Sequence, residues 1–304
     1  MVKLLHLTHA LEQLFYLDQW EKDPAFSRFI PTVYEPIGFA WRDFFEQEFV
    51  QRFNGLMIRG SEEVSSVFLA VFPTEDVLDR FLSESSPGDL LFMHHPLVME
   101  CGDPRGPWGR GFLTIKQEHL EAIRAKELSV YTCHLPMDTS RPIGTTSAMA
   151  EALNARLIKP FWQAGNGHVG MICELETVST DELIKRLTTI FSIPYADVEG
   201  KHHDRIDRIA LVAGCGDVVD AMREAERCGV QAYVTGEIHC HIDSDYGRLR
   251  FQQMMAYVPT TTMSLIGVSH AASEFLVMKT QMSRWFAEHF SVKVALLPQQ
   301  VWWR

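Results

Sequence analysis

The chain has 304 residues with a formal net charge of -11, a length that suits two ordinary domains or one large one. Its acidic balance, without any basic run, excludes a surface built to track phosphates, so no nucleic-acid partner is expected. No apolar run reaches the roughly eighteen residues a membrane span needs, and His6, His9, Glu12 and Gln13 interrupt the opening apolar stretch as no secretory leader would, so the expected location is cytoplasmic.

In chain order, apolar residues at helical spacing predict helices near 5–20 and 40–53, joined by an irregular connection carrying Pro24, Pro31 and Pro36. Both read as scaffold. Phe53 to Ile58 and Val64 to Val71 read as strands, and Thr74-Glu75-Asp76 caps a helix over 75–85. The apolar run Leu90-Leu91-Phe92-Met93 reads as a buried strand delivering His94 and His95 at its carboxyl end, before Pro96 stops the ladder. Open α/β sheets place their ligands at such ends. Adjacent side chains on an extended segment point to opposite sides, so the two imidazoles suit one ion each better than joint chelation.

A loop rich in glycine and proline, 102–110, precedes an amphipathic helix over 115–127 and a strand over 128–132 that ends in Cys133-His134-Leu135-Pro136-Met137-Asp138. A helix over 145–154 follows. Asn154 to Pro160 and Ala164-Gly165-Asn166-Gly167 then read as a boundary, dividing the chain into an amino-terminal α/β half, 1–155, with an added helical start, and a carboxyl-terminal half, 156–304.

The second half repeats the rhythm. A helix over 180–191, capped at Thr180, precedes a strand over 208–213, the turn Gly214-Cys215-Gly216, a helix over 217–228 and a strand over 232–235, which together make a βαβ unit. Glu237 and His241 follow that strand. A last strand over 262–268 leads into a helix from His270 to about 289, with Glu274 one turn on from His270 and on the same face. The tail, Val292 to Arg304, reads as a strand with Trp302-Trp303 packed on a neighbour.

Four strands thus end in imidazole or carboxylate groups: His94 with His95, His134 with Asp138, Glu237 with His241, and His270 with Glu274. Burying this many titratable groups together is costly unless cations balance them. The six cysteines show no Cys-x-x-Cys spacing, which leaves nitrogen and oxygen ligands for any metal.

The segments His94-His95-Pro96, His134-Leu135-Pro136-Met137-Asp138, Thr235-Gly236-Glu237 and His270-Ala271-Ala272-Ser273-Glu274 resemble, in order and approximate spacing, the signatures of the Nif-three-like dinuclear metal family, whose members are often labelled GTP cyclohydrolase homologues. The resemblance runs from about residue 45 to the carboxyl end and includes Asn54-Gly55-Leu56. It departs where Leu135-Pro136-Met137 replaces the family's Thr-Asn-Leu, and where Ser269 replaces the glycine before the last histidine.

The resemblance implies two similar, intertwined α/β halves with mixed sheets flanked by helices and a metal site between them. Two divalent ions (Zn, Fe or Mn) are implied, His94 and Asp138 holding one, His95 and His270 the other, and Glu274 both. A ring-like homo-oligomer, commonly a hexamer, is implied too. The expected function is a dinuclear metal-dependent hydrolase acting on a small molecule, a nucleotide or another cyclic amide or amidine, with His134, Glu237 or His241 moving protons. The alternative is a metal-binding scaffold, regulator or metal carrier without catalysis.

Overall fold

The computed structural model describes residues 1–303; Arg304, at the end of the expected terminal strand, lies outside the described residues. Strand β1 (Val2–Lys3) leads into α1 (Leu4–Leu14), whose Leu4, Leu7 and Leu11 fall on one buried face. The proline-broken connection is not irregular throughout. It contains α2 (Phe26–Tyr34), because Phe26, Ile30 and Tyr34 recur every fourth residue and are buried, a face strong enough to absorb Pro31. The helix expected over 40–53 is two short ones, α3 (Trp41–Phe44) and α4 (Gln47–Arg52), split where Phe45 turns extended.

There follow β2 (Gly55–Ile58), β3 (Glu63–Val64), β4 (Ser66–Ala70), α5 (Glu75–Glu84), β5 (Leu90–Met93), β6 (Val98–Glu100), β7 (Gly111–Leu113), α6 (Gln117–Ala125), β8 (Ser129–Thr132), α7 (Leu135–Thr139) and α8 (Thr145–Ala152). The stretch 154–167 forms a hairpin, β9 (Arg156–Ala164) against β10 (Gly167–Val178), with the glycines at its turn. Helix α9 (Thr180–Phe191) is capped one residue earlier than expected, by Ser179, whose hydroxyl accepts from the Glu182 N–H while the Glu182 carboxylate returns the bond. Then come β11 (Asp197–Gly200), β12 (Ile206–Cys215), α10 (Val219–Arg227), β13 (Ala232–Glu237), α11 (Asp245–Tyr257), β14 (Ser264–Gly267) and α12 (His270–Val277). A wider turn, Met278–Met282, interrupts the expected long helix before α13 (Ser283–His289) and β15 (Lys293–Leu296).

These elements form two compact units. The first gathers 1–99, 112–137 and 278–300; the second gathers 100–111, 138–277 and the tail from Val301. In the first unit the sheet order is β15-β4-β5-β8-β2, parallel except for β2. Phe26, Ile30, Trp41 and Phe49 pack with Phe68, Phe81 and Leu91 in its core. The second unit's sheet runs β11-β14-β13-β12-β10-β9, with β12, β13 and β14 parallel and antiparallel strands on either side. The protein is therefore a mixed α/β fold with mixed sheets flanked by helices. No helix among the described residues is long and apolar enough to cross a membrane.

Parallel pairing positions the chemistry within each unit. Met93 lies opposite Thr132 across β5 and β8, so the residues that follow, His94 and His134, emerge at the same sheet edge. In the second unit Thr235 lies opposite Gly267 across β13 and β14, which brings Glu237 and His270 out together.

Candidate metal centre

In the first unit His94, His95 and His134 each offer a ligand atom within 4.8 Å of the others. His94 is fully buried, and its Nδ1–H donates to the Cys133 carbonyl at 2.7 Å, which leaves Nε2 as its ligand atom. The His95 ring stacks on Phe72 with centroids 4.2 Å apart and meets the edge of Phe26 at 5.6 Å. Asn54 receives the His134 N–H at 2.7 Å, and the ring's Nδ1–H donates to Asp23 Oδ2 at 2.7 Å. Burial pushes the Asp23 carboxyl up, but His134 and the backbone N–H groups of Phe26 and Ala25 outweigh it and hold the pKa down to about 2. Sequence reading did not single out Asp23, whose partner His134 lies in this cluster.

In the second unit the buried His270 is held between acids. Its Nε2 lies 3.0 Å from Glu274 Oε1, and its Nδ1 lies 3.3 Å from Glu237 Oε2 and 3.4 Å from Cys101 Sγ. Burial opposes a charge on this imidazole, yet Glu274, Cys101 and Glu237 together raise its pKa well above the ordinary value. Burial also raises the Cys101 thiol, with Glu237 adding to it. Cys101, Glu237 and His270 form a second group whose ligand atoms lie within 4.8 Å of one another.

The backbone behind Glu274 is glycine by necessity. A Cβ on Gly214, at φ +67°, would stand 2.3 Å from Glu274 Oε1, and one on Gly236 would stand 2.8 Å from the His270 Cα. The Gly214 N–H donates to Ser273 Oγ, and that hydroxyl donates to the His270 carbonyl, tying the end of β12 to the first turn of α12. Gly214 and Cys215, expected in a turn, instead continue β12 through an irregularity in its pairing with β13, and this strand end buttresses the acid and the histidine.

Asp138 lies in α7 and accepts a 2.7 Å bond from Thr145 Oγ1. His241 stands with a different set of neighbours, His239 Nδ1 at 3.3 Å and the Trp108 ring at 5.3 Å between centroids. Burial, followed by His239, lowers its pKa to about 4. The loop 102–110 is strapped down in the same unit: the Gly109 N–H donates to the His241 carbonyl at 2.7 Å, and the Asp243 N–H donates to the Gly109 carbonyl at 2.8 Å. In the tail, Trp302 packs on Phe275 and Trp303 stacks on Tyr195.

The donor sets fit divalent cations. Two carboxyl groups and a thiol around one imidazole leave a buried negative excess, which a cation would offset, and nitrogen with oxygen donors suits zinc, iron or manganese.

Comparison with known proteins identifies the family of the chain. The family profile described as Duf34/NIF3 (NGG1p interacting factor 3) matches residues 50–300. A protein of Archaeoglobus fulgidus named GTP cyclohydrolase 1 type 2 homolog is 28% identical over 188 residues, 60% of this chain and 69% of its own length. One of the same name from Pyrococcus abyssi is 26% identical over 248 residues, 80% of this chain and 88% of its own. Among solved structures, the protein ybgI, of unknown function, superposes with a TM-score of 0.66 at 18% identity, covering 99% of this chain and 100% of its own. A Thermus thermophilus protein gives a TM-score of 0.62 at 18% identity, covering 99% of both chains. At that identity these structures speak for the fold alone.

Proposed function

The chain belongs to the Duf34/NIF3 family, and from that premise we propose that it is a dinuclear metal-dependent hydrolase. His94 and Asp138 would hold one divalent ion, His95 and His270 the other, and Glu274 both. The observation that carries the reading is the setting of His270, whose two ring nitrogens each face a buried acidic group. A bound pair of cations would supply Lewis acidity toward a carbonyl, amidine or phosphoryl oxygen and make water nucleophilic at neutral pH.

The chain's own residues do the rest. Glu237 accepts the Nδ1–H of His270 and so presents Nε2 outward, the usual arrangement of a carboxylate behind a metal-binding histidine. The Cys133 carbonyl does the same for His94. His134 accepts a proton at Nε2 while its Nδ1–H stays on the ring. His241, held neutral by burial, is a second candidate acceptor. The names of the relatives point to a nucleotide-like substrate, a cyclic amide or amidine. A homo-oligomer, as a hexameric ring, completes the proposal.

Cys101 favours a second reading. A thiol beside Glu237 and His270 could close the coordination of an ion and make it structural or a carried cargo. One experiment addresses both. The metal-loaded chain is assayed on GTP, other cyclic amides and phosphodiesters with Mn²⁺, Zn²⁺ and Fe²⁺. Turnover abolished by His134→Gln supports the hydrolase, whereas no turnover together with a Co²⁺-thiolate charge-transfer band that Cys101→Ser removes supports the carrier.

A further inference from the structure

Asp23 comes from the stretch before α2, outside the residues 50–300 that match the family profile. Its side chain is fully buried, and every polar contact on it is directional. Oδ1 accepts the N–H groups of Ala25 at 2.9 Å and Phe26 at 3.1 Å. Oδ2 accepts the Nδ1–H of His134 at 2.7 Å and the Leu135 N–H at 3.4 Å. The same turn fixes Phe26, whose ring meets the edges of His134 at 4.7 Å and His95 at 5.6 Å. The amino-terminal segment therefore grips two of the three clustered histidines.

We propose that Asp23 is a positioning residue of the hydrolytic site. It locks His134 in the tautomer that carries its proton on Nδ1, so that Nε2 is the basic atom. Orienting an imidazole and fixing its tautomer is the role of the third group in a nucleophile-base triad. The inference rests on the reading that His134 serves the metal centre. Asp23 lies in the connection between the two helices read as scaffold.

The geometry yields a sharp test with Asp23→Asn. The Ala25 and Phe26 N–H groups hold the amide oxygen at the Oδ1 position, so the amide NH₂ must face His134 and donate to it. His134 Nδ1 can then only accept, and the ring proton moves to Nε2. The full chain, saturated with Zn²⁺ and labelled with ¹⁵N-histidine, reports the tautomer by NMR, the His134 signals being assigned by their loss in His134→Gln. The expected result is Nδ1–H in the unaltered chain and Nε2–H in Asp23→Asn, with equal zinc content in both. An unaltered chain with its His134 proton on Nε2 overturns the proposal, and this arm needs no variant to fold. Retention of Nδ1–H in Asp23→Asn, or loss of zinc with no change of tautomer, overturns it as well. Failure of the unaltered chain to bind zinc counts against the dinuclear reading instead, and the tautomer of His134 in that sample still decides the role of Asp23.

Discussion

The two clusters are built on opposite plans. In the first unit three imidazoles gather, and the buried carboxylate in contact with one of them, Asp23, is itself ion-paired with His134 and satisfied by backbone N–H groups. In the second unit one imidazole is surrounded by Glu237, Glu274 and Cys101, and the end of β12 at Gly214 is pressed against the Glu274 oxygen. The first cluster is electrostatically near balance without an ion. The second carries an excess of acid that only a proton or a cation relieves. Acid sensitivity should therefore divide between the units by pH range.

The largest expected effect is on metal content. With about two ions per chain in the unaltered protein, the double substitution His95→Ala with Glu274→Ala should remove most of them by elemental analysis. Unchanged stoichiometry would refute the ligand assignment for both clusters at once.

A glycine in each unit sharpens the contrast. Gly214→Ala meets both a positive φ and the Glu274 oxygen, so it should lower thermal stability by about 2–4 kcal/mol and weaken metal binding. Gly55 has φ +102° but its nearest neighbour for a Cβ is a Leu17 methyl at 3.9 Å, so Gly55→Ala should cost only the backbone strain, about 1–2 kcal/mol, with metal binding intact. Equal loss of metal in the two variants would break the comparison.

Acid titration of the chelator-treated chain separates the units further. His241 has its pKa lowered to about 4, so between its ordinary value and pH 4 the unfolded chain binds a proton that the folded chain refuses, and stability falls across that window. His241→Gln should flatten this part of the profile. Asp23, held at about 2, works lower: its contribution of roughly 2 kcal/mol is complete above its unfolded pKa and is lost as pH drops toward 2. Asp23→Asn should remove that dependence and leave the higher window unchanged. The smallest effect is a control distant in role: Ser179→Ala removes the cap of α9 and should cost about 1 kcal/mol in a melting experiment, with no change in metal content.

Much of this was legible in the residues. Strand-end histidines at His94 and His270 stood out because buried apolar runs and parallel pairing deliver their followers to one sheet edge. The helical spacing of His270 and Glu274 likewise placed them on one face, where they lie 3.0 Å apart. What stayed hidden depends on long-range contact. Asp23-Pro24 carries a helix-start signal, and three prolines in fifteen residues concealed the helix it opens. Nothing local links Asp23 to His134, more than a hundred positions away. Cys101 looked like one of six scattered thiols, and the need for glycine at 214 arises from a side chain sixty residues on. The wide turn at Met278–Met282 has no proline or glycine to announce it.

The central claim is that His94, His95, Asp138, His270 and Glu274 would hold a pair of cations. Anomalous diffraction from crystals of the metal-loaded chain tests it most directly. The account predicts two anomalous peaks, one ligated by His94 and Asp138, the other by His95 and His270, with the Glu274 carboxylate touching both. Peaks elsewhere, or a peak near His95 in which neither His270 nor Glu274 takes part, would contradict it.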